Sequence, residues 1–340
     1  MTEHADSPAV AACCVALLLC ALGAGAGPAT VEATHKEIES IGVAGKGRIA
    51  RLASLCTTHD DKLLACDAGA KQIKVFDLTG KLRAAWPLPF APYAICAHAD
   101  GTVYVGGAAK LARLDKAGRV VKTADVNQQL TTGSPTGGPG GRFGRPSGRR
   151  AIGKASGIAA TEKDLFVSFG SGWSLRAKAV IVRFGRDLEA AKKIAEGMHG
   201  CCQRLDLATA DGALYVAENS RYRVVKMDRD GKVLATWGKR DRRDLEGFGS
   251  CCNPMNLCFG PGGALYTAES GLGRIKRYTP DGKFLSLVGE VGVTRFTRAG
   301  GLAASCSNIA VAVSKDGRRV FIQDVKTNGI RVLVKTTGGR

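Results

Sequence analysis

The chain has few aromatic residues, few histidines and a deficit of acidic side chains. Aromatics make up 6% of its 340 residues, histidine occurs five times, and 30 acidic residues face 49 lysines and arginines. No long amphipathic helical stretch separates the apolar runs, which argues against strands and helices alternating around a parallel sheet. The sequence contains no glycine-rich phosphate loop, no HExxH motif and no serine-centred elbow, so the usual motifs of nucleotide-binding enzymes, zinc proteases and serine hydrolases are missing.

Glycine and positive charge are abundant. Glycine occurs 45 times, and its spread through the chain indicates many turns between short strands. The formal net charge is +19. Two interpretations of this charge stay open: an anionic partner such as nucleic acid, acidic polysaccharide or lipid headgroups, or a basic surface that is simply solvated.

Residues 1–30 are predicted to be a targeting segment. An uncharged apolar run at 9–27 precedes small residues, as in the core and cleavage zone of a signal peptide, although residues 1–7 include acids and no Lys or Arg. An uncleaved membrane anchor is the alternative, because the run approaches the length that spans a bilayer. We expect export, with the protein periplasmic, secreted or anchored at the outer face of the membrane, where disulfides persist.

An internal repeat of roughly 40–50 residues runs through the rest of the chain. Its clearest copy reads DGALYVAE at 211–218, RVVKMD at 223–228 and DGKVLATWG at 230–238. Each copy holds short runs of alternating apolar residues that Asp-Gly or similar turns separate, which is typical of antiparallel strands. Six copies begin near residues 52, 92, 155, 202, 252 and 306.

These copies predict an all-β protein, a six-bladed β-propeller over residues 37–335. No copy can bury both of its faces alone, so the copies must stack, and antiparallel four-stranded units at this period fit the blades of a propeller. The last copy lacks an outer strand, whereas residues 37–45 are similar to the outer strand of other copies. We expect this N-terminal strand to complete the last blade and close the ring.

The combination of Asp-Gly, LYVAE, Arg-Val and Asp-Gly-Lys resembles the NHL repeat of six-bladed propellers, with the best match over residues 202–290. The resemblance implies the propeller fold, and it implies that Phe143, Phe248 and Phe296 fill the space between blades. It selects no function, because such propellers serve as lyases, hydrolases, receptor sensors and RNA-binding modules. The three-histidine metal centre of lyases with this fold is not expected, because the five histidines are scattered.

Cysteine pairs recur at the same place in two copies, and a third copy has one cysteine there. The candidate residues are Cys201, Cys202, Cys251, Cys252 and Cys306, with His199 two residues before the first pair. Each precedes an inner strand, so we expect them to line one side of a mouth of the central channel. Four interpretations stay open: structural disulfides, a metal ion or iron–sulfur cluster, a redox-active vicinal pair, and free thiols without any cofactor.

Two further sets of residues are predicted to be structural. The first consists of small buried cysteines within strands: Cys56, Cys66, Cys96 and Cys258. The second consists of acids that recur with arginines, as ion pairs or turn caps within blades: Asp67, Glu218, Glu269 and Asp324, with Arg223, Arg274 and Arg331.

A glycine-, proline- and arginine-rich insert spans residues 127–156, and we expect it to lack regular structure and to act as a lid or a basic arm. Arginines in the loops that lead into inner strands are candidates for binding a carboxylate, phosphate or sulfate. They are Arg142, Arg145, Arg149, Arg150, Arg295 and Arg298, with Lys154 beside them. A solvated basic loop is the alternative.

The favoured hypothesis is an exported binding or scaffold protein that holds a protein or an anionic ligand at a Cys- and Arg-lined channel mouth. The first alternative is a metal- or thiol-dependent enzyme, a lyase, hydrolase or oxidoreductase, that acts on an anionic substrate. A nucleic-acid-binding propeller comes third, because an exported protein rarely meets RNA. Membrane contact is expected only through residues 1–30, if they stay uncleaved.

Overall fold

Six antiparallel four-stranded sheets form the blades of a six-bladed β-propeller, which confirms the predicted architecture. The computed structural model describes residues 31–132, 152–171, 178–200, 204–249, 252–291 and 309–336. The chain divides into two units, residues 1–31 and 32–340, and the second unit carries every strand described here. Each inner strand contacts the inner strand of the next blade, and the last contacts the first, so the blades form a closed ring.

Each of the first five blades is a run of four consecutive strands, from the channel outwards. Blade 1 holds β2 (Leu52–Thr57), β3 (Lys62–Asp67), β4 (Gln72–Asp77) and β5 (Leu82–Pro87). Blade 2 holds β6 (Ala94–Ala97), β7 (Val103–Gly106), β8 (Lys110–Leu114) and β9 (Val120–Asp125). Blade 3 holds β10 (Ile152–Ala160), β11 (Asp164–Ser171), β12 (Ala179–Gly185) and β13 (Lys192–Met198).

The remaining blades follow the same order until the ring closes. Blade 4 holds β14 (Leu207–Ala210), β15 (Ala213–Glu218), β16 (Arg223–Met227) and β17 (Val233–Trp237). Blade 5 holds β18 (Asn256–Phe259), β19 (Leu265–Ala268), β20 (Arg274–Tyr278) and β21 (Phe284–Glu290). Blade 6 holds β22 (Val311–Val313), β23 (Arg319–Gln323), β24 (Ile330–Lys335) and, as its outer strand, β1 (His35–Ile41).

The N-terminal strand closes the ring as the sequence predicts. β1 pairs antiparallel with β24, and His35 lies opposite Lys335 while Ile41 lies opposite Ile330. The first and last strands of the propeller therefore share one sheet, which ties the two ends of the fold together and leaves no blade incomplete.

Turn residues set the spacing between neighbouring blades. Gly118 and Gly282 lie in the turns before the outer strands of blades 2 and 5, with φ of 81° and 94°. A β-carbon built on Gly118 would lie 2.0 Å from the Trp86 ring, and one on Gly282 would lie 2.4 Å from the Trp237 ring. Glycine is required at both turns, because the backbone needs a positive φ and the indole of the preceding blade occupies the space of any side chain.

The hydrophobic core is divided among the six interfaces between blades. Each cluster of buried side chains combines residues from two neighbouring blades. Phe248, for example, is fully buried between blades 4 and 5 with Trp237 and Tyr278, as the NHL resemblance implies. Because every blade contributes to two clusters, its folding depends on both neighbours.

The expectation that the whole insert 127–156 lacks regular structure is wrong at both ends. Helix α1 (Val126–Thr132) occupies its start, and β10 already begins at Ile152. The segment NQQLTT at 127–132 contains no glycine or proline, and the Asp125 carboxylate accepts a hydrogen bond from the Gln128 N–H at 3.1 Å, which satisfies a donor in the first turn. Residues 133–151 lie outside the described residues. Within the described ranges, no helix is both long enough and apolar enough to cross a membrane.

Two isoleucines of β1 test ring closure. Ile41 is 7% exposed and packs with Ile49, Leu52 and Phe76, whereas Ile38 is 46% exposed. We expect Ile41→Ala to lower the free energy of unfolding by about 2–5 kcal/mol, through lost burial and a cavity at the closing seam. Ile38→Ala should cost less than about 1 kcal/mol. Urea denaturation measures both, and equal losses would contradict a closure that depends on the buried face of β1.

Candidate functional site

All six inner strands begin at the same end of the central channel, which we call the entry mouth. The residues just before β2, β6, β10, β14, β18 and β22 surround it, and the second strand of each blade ends there. The sequence predicts the cysteines and arginines at this mouth. Of those candidates, with the histidine and the lysine predicted beside them, only His199, Cys252 and Lys154 lie within the described residues. The others lie outside them: Cys201, Cys202, Cys251, Cys306, Arg142, Arg145, Arg149, Arg150, Arg295 and Arg298.

Matching hydrogen bonds hold the two loops that carry the cysteine pairs. The His199 N–H donates to Glu218 Oε1 at 3.1 Å, and the Gly249 N–H donates to Glu269 Oε2 at 2.8 Å. His199 and Gly249 each precede a Cys-Cys pair by two residues. Glu218 ends β15 and Glu269 directly follows β19, so the two loops are anchored alike on neighbouring blades.

The recurring acids are structural, which confirms the sequence prediction. Glu218 pairs with Arg223 at 2.6 Å, Glu269 with Arg274 at 3.3 Å, and Asp324 with Arg331 at 3.5 Å. Asp67 has a related role, because its two carboxylate oxygens accept hydrogen bonds from the Ala50 and Arg51 N–H groups, both at 3.0 Å. In each of these blades the second strand fixes a neighbouring loop at the entry mouth.

A buried lysine holds the loop before the second cysteine pair. Lys276 is fully buried, and its ammonium lies 2.6 Å from Glu269 Oε1 and 2.9 Å from the Leu245 carbonyl, to which it donates. It also lies 4.8 Å from the centre of the Phe248 ring. Burial lowers the pKa of Lys276, while the Glu269 carboxylate raises it. Removing either Lys276 or Glu269 would leave the other charge buried without a partner, which is strongly destabilising. Because the Lys276 ammonium also donates to the Leu245 carbonyl, the pair holds the loop in place.

Cys252 differs from the other described cysteines because it is disulfide-bonded. It is 1% exposed at the interface between blades 5 and 6. The other four are free thiols in the interblade clusters: Cys56, Cys66, Cys96 and Cys258. The partner of Cys252 therefore lies outside the described residues. Cys66 is buried as predicted, whereas Cys56, Cys96 and Cys258 are partly exposed and line the channel cavity. Burial raises the pKa of the Cys56 thiol to about 12 and raises that of the other three as well.

No group of three His, Cys, Asp or Glu side chains is placed to hold a metal ion within the described part of the chain. The predicted metal centre depends on Cys201, Cys202, Cys251 and Cys306, so it stays a prediction. What the structure shows of His199 is its backbone anchor on Glu218 and its carbonyl, which accepts a hydrogen bond from the Ser220 N–H at 3.4 Å.

A basic and aromatic group occupies the other half of the entry mouth, and sequence reasoning missed most of it. Tyr93 directly precedes β6, and Lys154 Nζ lies 4.7 Å from the centre of its ring. The guanidinium carbon of Arg51, from blade 1, lies 5.7 Å from the same centre. Two cations from blades 1 and 3 thus flank one half-exposed ring of blade 2. Aligning the residues that precede each inner strand would have placed Arg51 and Tyr93 at this mouth.

The channel itself contains a cavity of about 220 Å³ between the inner strands. Asp206 and Asn256 line it at equivalent positions of blades 4 and 5. Asp206 Oδ2 accepts a hydrogen bond from the Leu257 N–H at 2.7 Å, and Asn256 Oδ1 accepts one from the Val311 N–H at 2.8 Å. Each side chain therefore links its blade to the next. The repeat alignment carried this signal, since both residues precede a leucine of the inner strand.

Asp206 is a carboxyl group that burial makes hard to ionise. Burial raises its pKa to about 7, although hydrogen bonds from the Leu257 and Leu207 backbone lower it. A neutral amide at the matching place in blade 5 makes the same interblade hydrogen bond. The charge of Asp206 is thus not needed for the link between blades 4 and 5.

Comparison with solved structures supports the fold, and at 11–13% sequence identity it shows the fold alone. A Bacteroides thetaiotaomicron protein of unknown function aligns with a TM-score of 0.60 and 13% identity, over 89% of this chain and 75% of that chain. A gluconolactonase of Xanthomonas campestris aligns with a TM-score of 0.56 and 13% identity, over 85% and 87%. Regucalcin of Agrobacterium tumefaciens, a calcium-binding protein, aligns with a TM-score of 0.53 and 11% identity, over 84% and 90%. These neighbours are six-bladed β-propellers. The sequence matches no protein-family model and no curated protein.

Asp206→Asn should change the pH dependence of stability. Because the folded pKa lies above the unfolded value of about 3.9, this residue's contribution is fully present below about pH 4 and is lost as the pH rises through about 7. We expect Asp206→Asn to match the wild type at pH 4 and to exceed its free energy of unfolding by about 2 kcal/mol or more at pH 8. Asp211→Asn, at an exposed turn, is the control. Urea denaturation at both pH values measures the free energies of unfolding. A difference between Asp206→Asn and the wild type that is the same at both pH values would contradict the raised pKa of Asp206.

Alkylation mapped by mass spectrometry should separate the two kinds of cysteine. We expect iodoacetamide at pH 8 to leave Cys66 unlabelled in the folded protein and to label it after unfolding, because burial raises its pKa and makes it inaccessible. Cys56, Cys96 and Cys258 are partly exposed at the channel cavity, so their raised pKa should slow labelling in the folded protein without preventing it. Cys252 should be labelled only after unfolding together with a reductant. Labelling of Cys252 in unfolded, unreduced protein would show that it is not disulfide-bonded.

Proposed function

We propose that this chain is an exported, non-enzymatic propeller of the NHL type that binds an anionic ligand at its entry mouth. The observation that carries the proposal is the group formed by Arg51, Tyr93 and Lys154, with two cations on one half-exposed aromatic ring. The guanidinium of Arg51 donates to the Ala68 carbonyl and to the Tyr93 hydroxyl, both at 3.4 Å. These hydrogen bonds orient Arg51 without neutralising it.

The chemistry of this group fits an anion that also has an apolar part. A guanidinium and an ammonium recognise carboxylate, phosphate or sulfate oxygens, and the Tyr93 ring offers an apolar face between them. Neither Arg51 nor Lys154 forms an ion pair with a carboxylate among the described residues. The net charge of +19 attracts polyanions to the whole molecule, and the arginines predicted at the same mouth would extend the binding surface.

The cysteines complete the proposal as structural bridges on the opposite half of the mouth. We assign the partner of Cys252 to one of the candidate cysteines, Cys201, Cys202, Cys251 or Cys306. The disulfide of Cys252 supports bridges over a metal centre, because a sulfur in a disulfide has no thiolate to offer a metal. It also supports export, since disulfides persist in oxidising compartments and the apolar run at 9–27 is typical of a signal peptide.

Charge reversal at the two ends of the propeller tests the function. A heparin-derived hexasaccharide is the probe, because it carries both sulfate and carboxylate groups. We expect Arg51→Glu with Lys154→Glu to weaken binding about tenfold or more at about 150 mM salt, through loss of the two cations and the gain of two repelling charges.

The control changes the net charge by the same amount at the other end of the blades. Lys116 and Lys232 are exposed in turns before outer strands, away from the entry mouth. Lys116→Glu with Lys232→Glu should weaken binding less than about threefold, through the long-range field alone. Equal weakening by the two double variants would mean diffuse attraction to a basic surface, and the proposed mouth site would be wrong.

A further inference from the structure

A second cavity, of about 350 Å³, lies at the opposite end of the channel, where inner strands end. We call this end the exit mouth. Segments of blades 1, 2, 5 and 6 line the cavity, and they cover residues 57–59, 97–99, 259–261 and 313–315. The size suits a small ligand, since binding cavities start at roughly 300 Å³.

Most polar side chains of the exit mouth already donate to other protein groups. The Thr57 hydroxyl donates to the Val313 carbonyl, and the hydroxyls of Thr58 and Ser314 donate to Asp60 and Asp316, all at 2.7 Å. These hydroxyls have no second proton to donate to a ligand.

The histidine of blade 2 is likewise engaged. His98 Nδ1 lies 3.0 Å from Asp100, and its Nε2 lies 3.3 Å from Glu162. Two carboxylates therefore occupy both ring nitrogens. Asp100 is further paired with Arg186 at 2.6 Å, which ties this group to blade 3.

Lys315 and His59 are the basic groups of the exit mouth that remain available. They belong to blades 6 and 1, and Lys315 Nζ lies 3.5 Å from His59 Nε2. Both residues are exposed, and neither has an ion pair with a carboxylate among the described residues. Three acids of these turns are engaged elsewhere: Asp61 accepts from the Lys315 backbone N–H at 2.8 Å, Asp60 pairs with Lys62 at 2.8 Å, and Asp316 accepts from the Ser314 hydroxyl at 2.7 Å.

We propose that the exit mouth binds a small oxyanion, a phosphate or a carboxylate, between Lys315 and His59. The ammonium has three N–H groups and the imidazole one, so together they can donate to separate oxygens of one anion that enters the cavity. The two side chains come from the first and last blades, so the anion would bridge the seam at which the ring closes. This site lies at the other end of the channel from the entry mouth and is independent of the function proposed there.

Titration with inorganic phosphate at constant pH and ionic strength tests the site in the full chain. We expect Lys315→Ala to weaken phosphate binding about tenfold or more, because it removes the main charge. Arg318→Ala is the matched control: Arg318 is an exposed cation of the same turn that does not line the cavity, and its loss should change affinity less than about twofold. Both positions are exposed, so both variants should fold.

The ring signals of His59 provide a second readout by NMR. They should shift on addition of phosphate in the wild type and in Arg318→Ala, and the same shift should need about tenfold or more phosphate in Lys315→Ala. Three outcomes would each overturn the proposal: no phosphate binding to the wild type up to about 10 mM, equal weakening in Lys315→Ala and Arg318→Ala, or no shift of the wild-type His59 signals. Arg51→Glu with Lys154→Glu should leave the phosphate concentration that half-shifts the His59 signals within about twofold, because that readout reports on the exit mouth alone, so failure here does not bear on the entry mouth.

Discussion

Burial of apolar side chains between neighbouring blades is the interaction on which the rest of this structure depends. The six core clusters lie at the six interfaces, and none lies within a single blade. A blade covers its faces only when both neighbours are present, so the ring has to close. Strand β1 closes the ring by pairing with β24, and its Ile41 packs in the core cluster between blades 6 and 1. The channel and both of its mouths exist because this ring is complete.

Polar contacts add specific links between blades and loops that apolar burial brings together. Glu218 and Glu269 hold the loops before the two cysteine pairs, and Asp206 and Asn256 connect consecutive inner strands. The contacts of Asp206 and Asn256 lie at the start of inner strands, where backbone groups would otherwise lack partners inside the ring. The entry mouth is thus a rigid frame. Among the described residues, its half on blades 1 to 3 is basic and aromatic, and Cys252 precedes the inner strand of blade 5.

Much of the fold could be predicted because the repeat makes local signals agree. Turn glycines such as Gly118 and Gly282, alternating apolar runs and the missing outer strand of the last copy all indicate the same ring. Prediction was poorer for the insert, where composition concealed the short helix α1. It was also poorer for the candidate site, because Tyr93 has no counterpart in the other copies of the repeat.

The number of blades, the order of strands and the strand that closes the ring follow from the sequence, because periodicity and turn chemistry act over a few neighbouring residues. Tertiary structure alone decided which side chains meet. Leu257 reaches Asp206 across 51 positions, and Lys315 reaches His59 across 256. No local rule relates residues that far apart: the rotation from one blade to the next brings them together. That rotation also made Asp206 difficult to ionise and placed two cations on Tyr93.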